Sequence, residues 1–145
     1  MSTTLQRSVT TTASPDVAFA YLADFANATE WDSGTVRCLR VSGNGGPGTV
    51  YRNVSRFAGR DVELDYTVAT REQPTFVIIG RNETTVSHDT IVVRPQGEGS
   101  VIDYTAESTF LGPARFIAPL LRPLLERLGD DTAETLRTAL DKLPG

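Results

Sequence analysis

Asp89, Tyr66 and Tyr104 are the side chains whose types could do acid–base chemistry together. A carboxyl among apolar neighbours has a raised pKa and can exchange a proton near neutrality. A phenol can polarise a carbonyl oxygen. Acting together they could enolise a poly-β-keto chain. The plainer reading of Asp89 is a hydrogen-bonded structural carboxylate at the rim of a cavity. The chain holds one histidine, His88, and one cysteine, Cys38. They are too few for a usual structural zinc site, and one cysteine forms no internal disulfide. Cys38 would need His88 as its base to act as a nucleophile, and it reads instead as an inert strand residue. "GNGGPG", residues 43–48, fits the glycine spacing of a dinucleotide fingerprint. That fingerprint must open a helix, whereas residues 49–57 alternate as a strand. No metal and no cofactor are expected.

These side chains need a scaffold, and the order of elements supplies one. Residues 5–12 are Thr-rich and read as a first strand. "SPDV" follows, with Ser14 as a candidate N-cap, Pro15 at the first helical position and Asp16 at the positive end of the dipole. Val17, Ala18, Tyr21, Leu22 and Phe25 give one apolar stripe. Asn27 and Glu30 have capping-box spacing for a second short helix that ends at Trp31. From Thr35 to Phe110 the turn signals separate about six strands at hairpin spacing. The chain closes on a helix with a stripe of Phe116, Ile117, Leu120, Leu121, Leu124 and Leu128, continued weakly by Leu136, Ala139 and Leu143. Pro119 and Pro123 interrupt its start, so the regular helix is expected from near Pro123.

Charge sets the register of one hairpin. With Ala58-Gly59 as a two-residue turn, Arg56 faces Asp61, Arg52 faces Asp65 and Val54 faces Glu63. Opposite charges paired across strands mark the solvent face. The other face then carries Tyr51, Asn53, Ser55 and Phe57, with Val62, Leu64, Tyr66 and Val68 beside them. Taking "QGEG" as the loop of the last hairpin puts Ile91 opposite Tyr104, Val93 opposite Ile102, Asp89 opposite Ala106 and Ser87 opposite Ser108. His88 then pairs with Glu107 on the wet face. Phe76 and Ile78 are also expected to point inward. The inner face therefore mixes aliphatic groups with hydroxyls and a carboxylate. An unpartnered buried polar group costs roughly 1–3 kcal/mol, so this mixture predicts a wet cavity or a ligand site rather than dry packing.

Composition narrows the classes of partner. The chain has 145 residues, 39% hydrophobic and 22% charged, with a net charge of −4. That suits one domain, residues 1–145, with one core. No basic run could follow a phosphate backbone, so nucleic acid is not expected. No apolar run reaches the ~20 residues of a membrane span, and no leader is apparent. A cytoplasmic protein without stable membrane insertion is expected, its oligomeric state left open.

"SPDVAFAYLADFANATEWDSG", "GNGGPGTVYR", "GRDVELDYTV" and "GPARFIAPLLRPLLERL" together resemble the SRPBCC superfamily. Its members are the START, Bet v 1 and polyketide cyclase/dehydrase-like helix-grip proteins, and the resemblance is nearest to the polyketide cyclase branch. It implies an α+β fold: a seven-stranded curved antiparallel sheet with two short helices, wrapped around a long C-terminal helix over a deep cavity. It makes Trp31 a packing anchor near the cavity mouth. The expected guest contacts are Trp31, Tyr51, Asn53, Ser55, Leu64, Tyr66, Phe76, Ile78, Ser87, Asp89, Ile91, Tyr104, Ser108, Phe116, Leu120 and Leu124. The leading expectation is a carrier of a hydrophobic small molecule (a lipid, polyketide or aromatic). The alternative is a cofactor-independent aromatase/cyclase that uses Asp89 with Tyr66 or Tyr104, and a third reading is a module that binds a protein partner. "FIAPLLRPLL", flanked by Arg115 and carrying Arg122, reads as a lid over the cavity or as a surface that touches membrane.

Overall fold

In the computed structural model, which describes residues 2–144, β1 (Ser2–Thr11) is followed by α1 (Pro15–Ala23), a single 3-10 turn (Phe25–Asn27) and α2 (Ala28–Trp31). Six strands come next: β2 (Thr35–Ser42), β3 (Val50–Phe57), β4 (Arg60–Glu72), β5 (Thr75–Arg81), β6 (Thr85–Gln96) and β7 (Gly99–Phe110). A 3-10 turn (Gly112–Phe116) leads into α3 (Ala118–Asp141). The sheet order is β1-β7-β6-β5-β4-β3-β2, antiparallel throughout. This is the seven-stranded α+β helix-grip arrangement, with α3 lying against β1 and α2.

Both hairpin registers follow from the side chains that their faces must hide. Arg56 faces Asp61, Arg52 faces Asp65 and Val54 faces Glu63, and each arginine Nε lies 3.0 Å from its aspartate. Ala58 and Gly59 both have positive φ, 53° and 77°, as a type I′ turn demands. In the last hairpin Asp89 faces Ala106, Ile91 faces Tyr104 and His88 faces Glu107. Gln96 pairs with Gly99, so the loop is two residues rather than the four expected.

Three local expectations differ from the structure. Neither Ser14 nor Asn27 caps a helix through its side chain. Asn27 donates instead to the Tyr21 carbonyl, and Glu30 accepts the Tyr21 hydroxyl at 2.6 Å, so the capping box does not form. The terminal helix starts at Ala118, five residues before Pro123. Pro119 falls in the first turn, where no intrahelical donor is needed, and only Pro123 removes a bond within the helix.

The core fills the end of the molecule under α1 and α2. Leu22, Phe25 and Trp31 meet Tyr51, Val68, Phe76, Ile78 and Ile91 from the sheet and Leu136 and Leu140 from α3. Phe25 stands edge-on to both Trp31 and Tyr51, at 6.2 and 5.9 Å between ring centroids. Packing stops there, and the half of the sheet beyond it is not filled by side chains.

Candidate functional site

A cavity of about 640 Å³ lies between the concave face of the sheet and α3. Its walls are apolar: Leu5, Val62, Leu64 and Phe110 from the strands and Leu121, Leu125, Leu128 and Leu136 from the helix. One end is closed by Asp32, Tyr66, Ser87, Asp89, Tyr104 and Thr132. The other opens between the β3–β4 turn and the start of α3, at Ala58, Arg60, Thr84 and Ile117, all exposed. A second depression, of about 650 Å³, lies between α1–α2 and the end of α3. Its wall includes Glu30, Glu134 and Lys142, all exposed, and the buried polar groups lie in the first cavity instead.

Asp89 organises the closed end. Alternation along β6 turns Ser87, Asp89, Ile91 and Val93 inward and His88 outward. Asp89 is 4% exposed. Its Oδ1 accepts the Ser87 hydroxyl at 2.7 Å and its Oδ2 the Tyr104 hydroxyl at 3.0 Å. Burial pushes the carboxyl up to about 6, against the opposing pull of those two hydrogen bonds. Tyr104 and Tyr66 are pushed well above the usual phenol range, first by burial and then by the charge of Asp89. The Tyr104 ring stands edge-on to Trp31 at 5.9 Å, and Phe25 lies 4.9 Å from Tyr66. Gly80 faces Tyr66 across β4 and β5. A Cβ there would sit 2.6 Å from the tyrosine ring, so only glycine lets that ring lie over the strand.

Asp32 is a second carboxylate on the cavity, placed by the turn between α2 and β2. It accepts from the Gly34 amide at 3.3 Å, from Thr35 at 2.8 Å and from Thr132 at 3.1 Å. The Thr132 bond ties the turn to α3. Burial raises this carboxyl too, against those three bonds. Arg7 lines the wall opposite, its guanidinium 3.0 Å from both Glu126 and Asp130.

The expected contacts divide three ways. Ser55, Leu64, Tyr66, Ser87, Asp89, Tyr104 and Ser108 line the cavity. Trp31, Tyr51, Asn53, Phe76, Ile78 and Ile91 are buried behind its closed end and do not line it. Inward-facing residues of a sheet line a cavity only where no helix covers them, and α1 and α2 cover these. Trp31, 1% exposed, is an anchor of the closed end rather than of the mouth. Asn53 satisfies its amide with Thr35 and Ser55. Phe116, Leu120 and Leu124 face solvent, the first two 70% and 76% exposed. The inner side of α3 is instead the row of Leu121, Leu125, Leu128, Thr132 and Leu136. Asp32, Arg7 and Thr132 are cavity residues that sequence reasoning missed. Asp32 beside Trp31 was a signal, but "DSG" reads first as a turn.

Cys38 is buried, and burial pushes its thiol up to about 11, so it holds its proton at neutral pH. Among the described residues no three His, Cys, Asp or Glu side chains converge as a metal site requires. No described helix is long and apolar enough to cross a membrane.

Residues 2–141 match the family described as polyketide cyclase / dehydrase and lipid transport. The chain belongs to that family. No curated protein matches the chain. Solved structures share its fold at low identity. The Zhui aromatase/cyclase from Streptomyces sp. R1128 is 12% identical, with a TM-score of 0.83 over 98% of this chain and 95% of that one. A Thermus thermophilus protein, TTHA0849, is 19% identical, with a TM-score of 0.75 over 98% and 95%. A START superfamily protein from Mycobacterium smegmatis is 15% identical, with a TM-score of 0.73 over 95% and 94%.

Proposed function

We propose that this member of the family binds a hydrophobic small molecule in the cavity under α3. The observation that carries this is an apolar cavity of about 640 Å³ whose closed end holds a hydrogen-bonded carboxylate. The apolar walls supply affinity, at about 0.8 kcal/mol for each methylene buried. Ser55, Ser87, Asp89, Tyr66, Tyr104 and Ser108 supply orientation. A protein-partner module would call for a filled interior, and the cavity counts against it. Native mass spectrometry of the freshly purified protein tests the reading. We expect a retained small-molecule adduct, lost on denaturation and absent from Ala106→Phe, which fills the cavity floor. Bare protein that also takes up no apolar probe dye would overturn it.

One feature favours aromatase/cyclase-type catalysis in the same cavity as a second reading. Asp89 is held near neutrality with a phenol on its carboxylate, which suits proton transfer to and from a positioned chain. Under that reading Asp89→Asn retains binding and loses turnover. Under simple carriage it changes the affinity for a purely apolar guest by no more than a few-fold.

A further inference from the structure

The cavity's polar groups are unevenly supplied with protons. Asp89 accepts one hydrogen bond on each oxygen. Asp32 accepts three, from Gly34, Thr35 and Thr132. A carboxylate has about four lone-pair sites, so acceptor capacity is left over on both. The hydroxyls of Ser87 and Tyr104 already donate to Asp89, which leaves those of Tyr66 and Ser108 on the cavity wall. Asp32 is close enough to Asp89 to raise its proton affinity. The cations on the cavity wall do not offset them. Arg7 is bound by Glu126 and Asp130, and Arg60 stands at the exposed mouth.

The distance between the ends matters as well. Asp89 lies four residues into β6 from Thr85, about 13 Å along a strand. Ile117 at the mouth and Thr132 at the closed end are fifteen residues apart along the terminal segment, about 22 Å at helical rise. A guest that fills this space is elongated, and one of its ends must meet the carboxylates.

We propose that the cavity selects elongated amphiphiles whose buried end donates hydrogen bonds, a long-chain alcohol or amine, and rejects those whose buried end is anionic. This rests on the binding reading above. A donor end would satisfy the spare lone pairs of Asp89. A carboxylate or phosphate brings no proton and meets two like charges in a desolvated pocket, where repulsion is screened least.

The test is calorimetric titration at pH 8 with three probes of one chain length: dodecylamine, 1-dodecanol and dodecanoate. We expect the amine and the alcohol to bind at least tenfold more tightly than dodecanoate. In Asp89→Asn, with its fold checked by far-ultraviolet circular dichroism, that gap shrinks to about threefold or less. The variant decides the matter, because dodecanoate also pays its own desolvation in any apolar cavity. A gap unchanged in Asp89→Asn overturns the proposal, as does equal binding of all three by the wild type. Failure of every probe would instead overturn the binding reading itself.

A second measurement needs no variant. Dodecylamine keeps its charge between pH 5 and 8, and 1-dodecanol has none to lose. The groups facing Asp89 are Ser87 on its own strand, Tyr104 on β7, Tyr66 on β4 and Asp32 after α2, with His88 on the opposite face. Because Asp89 gains its proton near 6, the preference for the amine over the alcohol falls severalfold from pH 8 to pH 5. A flat profile overturns the assignment to Asp89.

Discussion

At the closed end of the cavity, Asp89, Tyr104 and Trp31 form a connected series in which every member is held by the next. The carboxylate accepts the phenol's hydrogen bond, and the phenol's ring stands edge-on to the indole. At the mouth, Phe116 and Leu120 stand in solvent with only Arg115 over the Phe116 ring, 4.6 Å from its centroid. One end places charge where water is scarce, and the other places apolar surface where water is plentiful. Each is the costly choice in its own setting. A protein built for stability alone would exchange the two. Under the binding proposal, the closed end is where a guest's polar group would be recognised and the mouth where it would pass.

The two ends should respond to change by very different amounts. The largest effect belongs to Asp89. Its folded pKa of about 6 lies above the ordinary 3.8, so the folded state binds the proton more tightly than the unfolded chain does. Its carboxyl therefore favours folding below about pH 4, and that advantage is lost as pH rises through 6. The difference between those two values corresponds to about 3 kcal/mol. Asp89→Asn cannot ionise. Urea denaturation at pH 4 and pH 8 should show the wild type losing about 2.4 kcal/mol relative to this variant over that range. A constant difference would mean that the carboxylate is better solvated than its surroundings imply.

The smallest effect belongs to the mouth. Leu120→Ser removes an apolar side chain that is already exposed, and the urea midpoint should move by no more than about 0.5 kcal/mol in equivalent stability. A loss of about 2 kcal/mol or more would show that the start of α3 is covered in solution, and the contrast between the ends would then fail.

The sequence was most informative where alternation and charge agreed. Arg52 and Arg56 facing acids across the turn left one register for β3 and β4, and with it the inward side of Ser55, Leu64 and Tyr66. Asp89, Ser87 and Tyr104 became legible in the same way, through Ile91 and Val93. The phase of α3 was not legible. Between Ala114 and Leu125 apolar residues occupy every side of the helix, so spacing chooses no face. The inward face is set by what α3 touches, including Thr132 bonded to Asp32 and Arg7 bonded to Glu126 and Asp130. Gly129 shows the same dependence, since the Arg7 guanidinium lies 3.2 Å from where its Cβ would be. The boundary between core and cavity was also hidden. Ile78 and Asp89 are opposite each other on one face of the sheet, yet only Asp89 reaches the cavity.

The most direct measurement compares 1-dodecanol binding to the wild type and to Ala106→Phe by titration calorimetry. Ala106 lies across from Asp89 on the cavity floor, and a phenyl ring there occupies the guest's place. One site per chain is expected in the wild type and at least a hundredfold loss in the variant, with far-ultraviolet circular dichroism unchanged. Equal binding by the two folded proteins would place the guest elsewhere and contradict the account.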